Sequence, residues 1–494
     1  MMTLSEVLRG RAERDGDRVM FDFGDRSYTY REVQARADTW QLILSDAGAQ
    51  PGARIVFLSA NRPEFVFALY GALQLGAAVV LCSPAWKAGE IAHACAVVTP
   101  QLAVADAAGR ATLAEAASEL LTLAFEDPPV LSGHVGVWQV DDVDADAVLV
   151  FSSGTTGFPK AVRHTHRSMG HGVKHWITAL GLTDADRFQI ATPPVHILGL
   201  LNIFTAVAAG ARFRLHARFD LDASLRTVQD EQLTLDQAVA PIALGMANHP
   251  QLEAFDLSSL RYVMWGATPV APEVAETVTR RAGVRWLPAY GTSEVPVIAC
   301  NPVQEPDRWR LDTVGLAIPG SPGVQIRIVD PDRGEVLPAG ETGEIEVLSP
   351  SRMAGYLPES ETAAAFRDGW YRTGDIGWLE AEGWLHITDR LKEMVKVRGF
   401  QVAPAEIEAV LHGDSRVRDC AVFGVPDPEL GEAIVAAVVV VDGETVTAEE
   451  LQETVASRLA GYKRVRHVRF VDEIPRLPSG KALRRTLKEQ WLST

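Results

Sequence analysis

The chain has 494 residues, more than one hydrophobic core usually organises, so at least two domains are expected. Its 47 Lys+Arg against 64 Asp+Glu give a formal net charge of -17, which repels a nucleic-acid backbone or an anionic leaflet and argues against both as partners. Cys82, Cys95, Cys300 and Cys420 form no C-x-x-C pair, so neither a zinc knuckle nor a disulfide framework is expected, and a reducing cytoplasm is the simplest home.

The first sixteen residues carry acids and lack an apolar core, so a secretory signal is not expected. Phe65 to Cys82 is nearly all apolar, but Gln74 interrupts it and Gly76 divides it. That pattern predicts a buried helix, a glycine stop and a buried strand rather than an integral membrane segment. β-Branched runs at Ala53–Ser59, Ala77–Cys82, Ala147–Ser152, Arg187–Ala191, Ala211–Leu215, Arg261–Trp265 and Val284–Pro288 alternate with helical stretches. The alternation predicts an α/β protein with largely parallel sheets and ligands at the carboxyl ends of strands. From Val324 short strands separated by turns predict a small antiparallel β unit. Beyond Asp389-Arg390-Leu391-Lys392-Glu393, a helix from about Pro404, strands at Val417–Gly424 and Ala433–Val441 and a helix at Ala448–Ala460 predict a compact α+β unit. The expected division is 1–390 for a large ATP- and acyl-binding domain and 391–494 for a small mobile lid domain.

The segment after the third predicted strand, S-S-G-T-T-G-F-P-K-A at 152 to 161, has the makings of a phosphate-gripping loop. Ser152, Ser153, Thr155 and Thr156 offer hydroxyls, Gly154 and Gly157 let amides turn inward, and Lys160 adds a cation. It is not a P-loop: two residues, not four, separate the glycines, Lys160 follows a proline, and Ala161 stands where the metal-binding hydroxyl belongs. On this stretch alone, an ordinary Ser/Thr/Gly turn remains the alternative.

Further stretches occur in order: P-P-V-H at 193 to 196, W-G-A-T-P at 265 to 269, Y-G-T-S-E at 290 to 294, Y-R-T-G-D at 371 to 375, D-R-L-K-E-M-V-K-V-R-G-F-Q-V-A-P-A-E-I-E at 389 to 408 and P-S-G-K at 478 to 481. With the loop they make seven matches in register, and from about Leu4 to Leu487 the chain resembles the adenylate-forming superfamily. Its members include acyl-CoA synthetases, aryl acid ligases of the 4-coumarate:CoA ligase kind, luciferases and peptide-synthetase adenylation domains. The resemblance implies that a carboxylate attacks the α-phosphorus of ATP to give acyl-AMP and pyrophosphate, after which a thiol, normally that of coenzyme A, displaces AMP.

It implies residue roles too. Asp375 is expected to accept hydrogen bonds from the ribose hydroxyls, since one carboxylate spans a vicinal diol. Tyr290 would lie along the adenine, with Gly266, Ala267 and Thr268 on its other side and Gly291 beside it. Thr292 would offer its hydroxyl to the α-phosphate and Glu294 an oxygen to Mg2+, a hard cation. Arg390 would touch the ribose. Lys481 would bridge the carboxylate and the α-phosphate, offsetting charge as two anions meet, and acetylation would remove that charge. Lys392 would be a hinge about which the small domain rotates between the two steps. Lys396 and Gln401 would support adenylation, and the segment with Arg398, Gly399 and Phe400 would admit the pantetheine arm. His196 would stand at the mouth of the acyl pocket.

The resemblance has departures. Ala161 replaces a usual glycine, Trp265 replaces a small residue and Ala240 stands where aromatic-acid ligases often carry proline. The acyl pocket is expected to draw on His196, Leu198, Gly199, Ala240, Trp265, Ala267, Val295 and Pro296, largely apolar and without an acid to hold an amino group. His164, His166, His171 and His175 fit no common zinc spacing. Coenzyme A is the expected acceptor, as no carrier segment follows residue 494; a separate carrier protein and a non-catalytic nucleotide binder are the alternatives. A short, medium-chain or aryl acid and a monomer or homodimer are all compatible with these residues.

Overall fold

The structure, a computed structural model, describes residues 2–126, 142–152, 159–267, 272–318, 321, 323–391, 393–397, 400–427, 430–459, 461–476 and 482–493, and of residues 390, 400, 401 and 431 the backbone alone. Among the described residues the strands form five sheets. The largest runs Gly355–Leu357, Lys160–Thr165, Asp146–Ser152, Ala78–Cys82, Arg54–Leu58, Leu102–Ala105, Thr122–Ala124. The last five of these are parallel, and the first two are antiparallel additions at one edge. A second sheet carries Val19–Phe23, Arg212–Leu215 and Arg187–Ile190 in parallel, and a third Leu235–Ala238, Tyr262–Trp265 and Trp286–Tyr290. The antiparallel unit expected after Val324 is the fourth, built on Gln325–Val329, Gly343–Leu348, Trp370–Leu379 and Leu385–Arg390.

Elements arise where the pattern puts them. Pro63–Leu75 is a helix buried all round, as its unbroken apolar run requires, and it stops at Gly76 in a left-handed cap before the fully buried strand Ala78–Cys82. Among the described residues no helix is long and apolar enough to cross a membrane. The strand expected at Val284–Pro288 instead covers Trp286–Tyr290. Val284 and Arg285 leave the preceding helix, and pairing begins where the Arg285 carbonyl accepts the Val263 amide.

The C-terminal part is a small α+β unit. Val395–Val397 and Phe400–Val402 form a hairpin beside Gly431–Val440, which pairs with Val417–Asp427 on its other edge, and Pro404–His412 and Ala448–Arg458 pack against the sheet. Its core of Val395, Ile407, Val422, Val438 and Leu451 is separate from the N-terminal cores, whose last buried member is Leu385 with Ile387 packed against it. Across the junction the Asp389 carboxylate accepts the Ala405 amide at 2.9 Å, tying the last strand of the fourth sheet to the first turn of Pro404–His412.

Candidate active site

A cavity of about 1160 Å³ opens where strands of three sheets end. Leu81, Phe151, Ser152, Gln189, Ala191, Met264, Gly266, Ala267 and Ala289–Gly291 border it at or just past the carboxyl ends of their strands, the position where parallel sheets leave room for a ligand. Leu391 and Arg476 reach it from the C-terminal side.

One end of the cavity is made of turns. Strand Tyr262–Trp265 runs out into Gly266 and Ala267, and Ala267 holds a φ of 63°, a left-handed conformation that a residue with a Cβ rarely adopts. Strand Trp286–Tyr290 runs into Gly291, where a Cβ would lie 2.1 Å from the Pro296 carbonyl oxygen, so only glycine fits. Thr292 then closes a turn: its amide donates to the Val295 carbonyl and its hydroxyl accepts the Val295 amide at 3.0 Å, leaving the hydroxyl proton to donate elsewhere. His164 fastens this loop from beneath, with Nε2 2.8 Å from the Ser293 carbonyl.

Asp375 is buried and accepts a 2.5 Å hydrogen bond from the Tyr290 hydroxyl, while its own amide donates to Thr373 Oγ1. Arg390 lies opposite Asp375 in strand register, and Leu391 donates its amide to the Gly374 carbonyl. Glu294 is buried at the cavity wall, its Oε1 accepting from the Tyr356 hydroxyl at 2.8 Å; Tyr356 is in turn hydrogen-bonded to Tyr371. Burial and the neighbouring carboxylate push both phenols well above their usual range, so they stay protonated donors. Lys160 borders the cavity with its Nζ paired to Glu361 and 5.4 Å from the Tyr356 ring centroid.

The other end is reached past His196, whose pKa burial lowers, leaving the imidazole uncharged at neutral pH. Trp176, Val195, Leu198, Phe219, Val239 and Ile242 make apolar walls. Between them lie groups that sequence reasoning missed. Asp236 faces the cavity, against the expectation of a pocket without an acid, and burial pushes its carboxyl up to about 6. Gln189 Nε2 donates to Asp236 Oδ2 at 2.7 Å and to Ser224 Oγ at 2.6 Å, and His216 donates to Gln189 Oε1. Asn202 and Gln237 exchange amide hydrogen bonds of 2.6 and 2.9 Å, and Trp176 Nε1 donates to Asn202 at 2.8 Å. Their signal was present: Asp236, Gln237 and Asn202 are polar residues inside otherwise apolar elements, L-D-Q-A and I-L-G-L-L-N-I-F-T.

Four residues expected in the acyl pocket do not border it. Trp265 is 1% exposed and packs on Trp286 at 5.1 Å, because alternation along Tyr262–Trp265 sends Met264 to the cavity and Trp265 to the opposite layer. Gly199 lies under the chain, where a Cβ would meet the Pro193 carbonyl oxygen at 2.5 Å. Val295 is buried in the main core beneath its turn. Ala240, at the start of Ala240–Asn248, packs against the core behind the third sheet while Val239, Pro241 and Ile242 face the space. Leu198, Pro296 and His196 do border it. Lys396 is exposed on the C-terminal hairpin, opposite Gln401 in register and away from the cavity. Ser153, Gly154, Thr155, Thr156, Gly157, Thr268, Lys392, Arg398, Gly399 and Lys481 lie outside the described residues. Ser152 pairs in register with Lys160, and Arg476 forms a bridge with Ala482.

The family model of AMP-binding enzymes matches residues 8–357, and that of their C-terminal domain matches 406–481. The chain belongs to the family of AMP-binding enzymes. It is an acyl-CoA synthetase-like member. It is similar to 4-coumarate–CoA ligase 2 of Nicotiana tabacum, 34% identical over 93% of this chain and 89% of the relative. It is equally 34% identical to a feruloyl-CoA synthase of an Amycolatopsis species, over 95% of each chain. Among solved structures the amide bond synthetase McbA of Marinactinospora thermotolerans superposes with a TM-score of 0.88 at 30% identity, over 99% of both chains.

Proposed function

We propose that this AMP-binding enzyme is an ATP-dependent carboxylic acid:CoA ligase acting on an aryl acid. The observation that carries the reading is one continuous cavity whose nucleotide end offers Tyr290, Thr292 and Glu294, with the buried Asp375 held behind the Tyr290 hydroxyl, and whose other end, beyond His196, is walled by Trp176, Leu198, Phe219 and Ile242. ATP and an acid lying end to end in that space would bring the carboxylate to the α-phosphorus.

In this reading Asp375 takes the ribose, Arg390 beside it in the sheet supports that grip, and Thr292 turns its hydroxyl on the α-phosphate. Ser152 to Lys160 holds the leaving phosphates. Among the described residues no three His, Cys, Asp or Glu side chains converge on one point, and Glu294 is a buried carboxylate at the cavity wall beside the turn of Thr292. That donor suits a magnesium ion whose other ligands are nucleotide oxygens and water, and such an ion neutralises phosphate charge. Lys481 stabilises the meeting of the two anions. Its position next to Ala482, bridged to the cavity residue Arg476, supports that role.

The division at 390/391 and the hinge at Lys392 belong to the same proposal. Separate cores up to Leu385 and from Val395 support a joint between them. Rotation there would bring the segment with Arg398, Gly399 and Phe400 to the site for the thiol, while Lys396 and Gln401 support the adenylation step. The likeness to an amide bond synthetase favours one second reading, in which an amine takes the thiol's place.

The test is pyrophosphate release with a panel of aryl and straight-chain acids, followed by addition of CoA or of an amine to the adenylate. An aryl acyl-CoA thioester is the expected product. An amide formed in preference to the thioester selects the second reading, and no acid-dependent pyrophosphate release from folded enzyme overturns both.

A further inference from the structure

We propose that Asp236 selects acids carrying an N–H or O–H donor at the end remote from the reacting carboxyl group. This deepens the ligase reading and rests on it. Leu198 borders the cavity from helix Ile197–Ala209, and one turn further along that helix Asn202 is locked to Gln237 of strand Leu235–Ala238. The strand residues Asp236 and Gln237 therefore adjoin the acyl wall.

Gln189 cannot readily turn its carbonyl to the acid, because Oε1 is taken by His216 and Nε2 is shared between Asp236 and Ser224. Asp236 is thereby held as an acceptor. Each of its oxygens receives one bond from protein, Oδ2 from Gln189 and Oδ1 from the Gln237 amide at 2.8 Å. A carboxylate has about four acceptor sites, so capacity remains on the side that faces the cavity. A plain hydrocarbon end would strip water from that group and return nothing, whereas a hydroxyl or amino group would satisfy it. Sites built to bond a polar substrate group reject the analogue lacking it by large factors, because the protein group is left unpaired. The carboxyl held near pH 6 by burial reports the same shortage of donors.

The probes are cinnamate, 4-hydroxycinnamate and 4-aminocinnamate, with kcat/KM for pyrophosphate release measured on wild type, Asp236→Asn and Asp236→Leu. Wild type should favour the two donor-bearing acids by roughly tenfold or more, and Asp236→Leu should reverse that preference. Asp236→Asn keeps size and polarity and should fall between them. AMP binding by each variant reports whether it is folded. Equal ratios in all three proteins overturn the role of Asp236 while leaving the ligase reading intact. Activity on straight-chain acids with none of the three probes used overturns the role of Asp236 and the aryl assignment together, leaving only the acid:CoA ligase chemistry. Wild type that releases pyrophosphate with no acid at all overturns the ligase reading itself.

Discussion

The two ends of the cavity are built in different ways. At the nucleotide end several bordering groups stand in turns, Gly266 and Ala267 after one strand and Gly291 to Glu294 after the next, and Thr373 and Gly374 border it where strand Trp370–Leu379 passes through the left-handed Gly374. At the acyl end the polar ones stand inside regular elements: Gln189, Asp236 and Gln237 in strands, Trp176 and Ser224 in helices. Turns restrict residue type strongly, through left-handed backbone and close approach, so the first end is written in short motifs. A helix or strand tolerates one polar residue on a face as long as some distant residue satisfies it. The second end is therefore written in pairs such as Gln189 with Asp236, 47 residues apart.

The largest test of this contrast lies at the motif-built end. Lys481→Ala should lower adenylation by about a hundredfold or more, the scale of removing one charge stabiliser from a reacting centre. Thioester formation from supplied acyl-AMP should be spared. Equal loss of both half-reactions, measured by single turnover, removes Lys481 from the first step.

Next in size is Asp375→Ala. Hydrogen bonds to a charged group contribute about 1.5–3 kcal/mol, so ATP affinity measured by calorimetry should fall by roughly ten- to a hundredfold. Tyr290→Phe removes one donor to Asp375 and should cost less than the aspartate change. A larger effect from Tyr290→Phe assigns the ribose-side energy to the phenol instead.

These contrasts also set what was legible. The fold class, the buried helix–glycine–strand run from Pro63 to Cys82 and the small antiparallel unit followed from periodicity, because burial and alternation leave a direct trace in residue order. The turn residues Gly266, Ala267, Gly291, Thr292 and Glu294 do line one space. What failed were positions where a one-residue change of direction decides everything: Trp265 against Met264, Ala240 against Val239, Val295 against Glu294. Neighbours in a motif share a location in the chain but face opposite sides of a strand or turn. Glu361 and Tyr356 went unnoticed because they meet Lys160 and Glu294 across sequence separations of 201 and 62.

The acyl end makes a smaller, pH-dependent prediction. Asp236 has its carboxyl raised to about 6 from 3.8, so the folded protein binds this proton more tightly than the unfolded chain does. Stability tied to that proton is absent at pH 8, appears as pH falls through about 6 and is complete near 3.8. Asp236→Asn has no such proton. Relative to it, wild type should gain on the order of 1–3 kcal/mol between pH 8 and about 4.5, read by denaturant unfolding of both proteins. A difference independent of pH means Asp236 is solvated well enough to lose its proton normally, and the two ends then differ less in polarity than their construction implies.

The smallest effect concerns the junction between the loop and its neighbour. Lys160 is paired to Glu361, with side chains 15% and 33% exposed, so the pair is partly screened and worth a fraction of what a buried pair would be. If Lys160 is to meet the leaving phosphates, Glu361 competes with them for the same ammonium and adds a negative charge nearby. Glu361→Gln removes both effects, so the KM for ATP should fall by about two- to fivefold, with little change in kcat. The gain should shrink as ionic strength rises, since exposed charges are screened over about 8 Å at physiological salt. A KM that rises instead gives Glu361 the opposite role, that of an oxygen donor needed by the nucleotide's cation, and makes the loop's lysine secondary to its carboxylate partner.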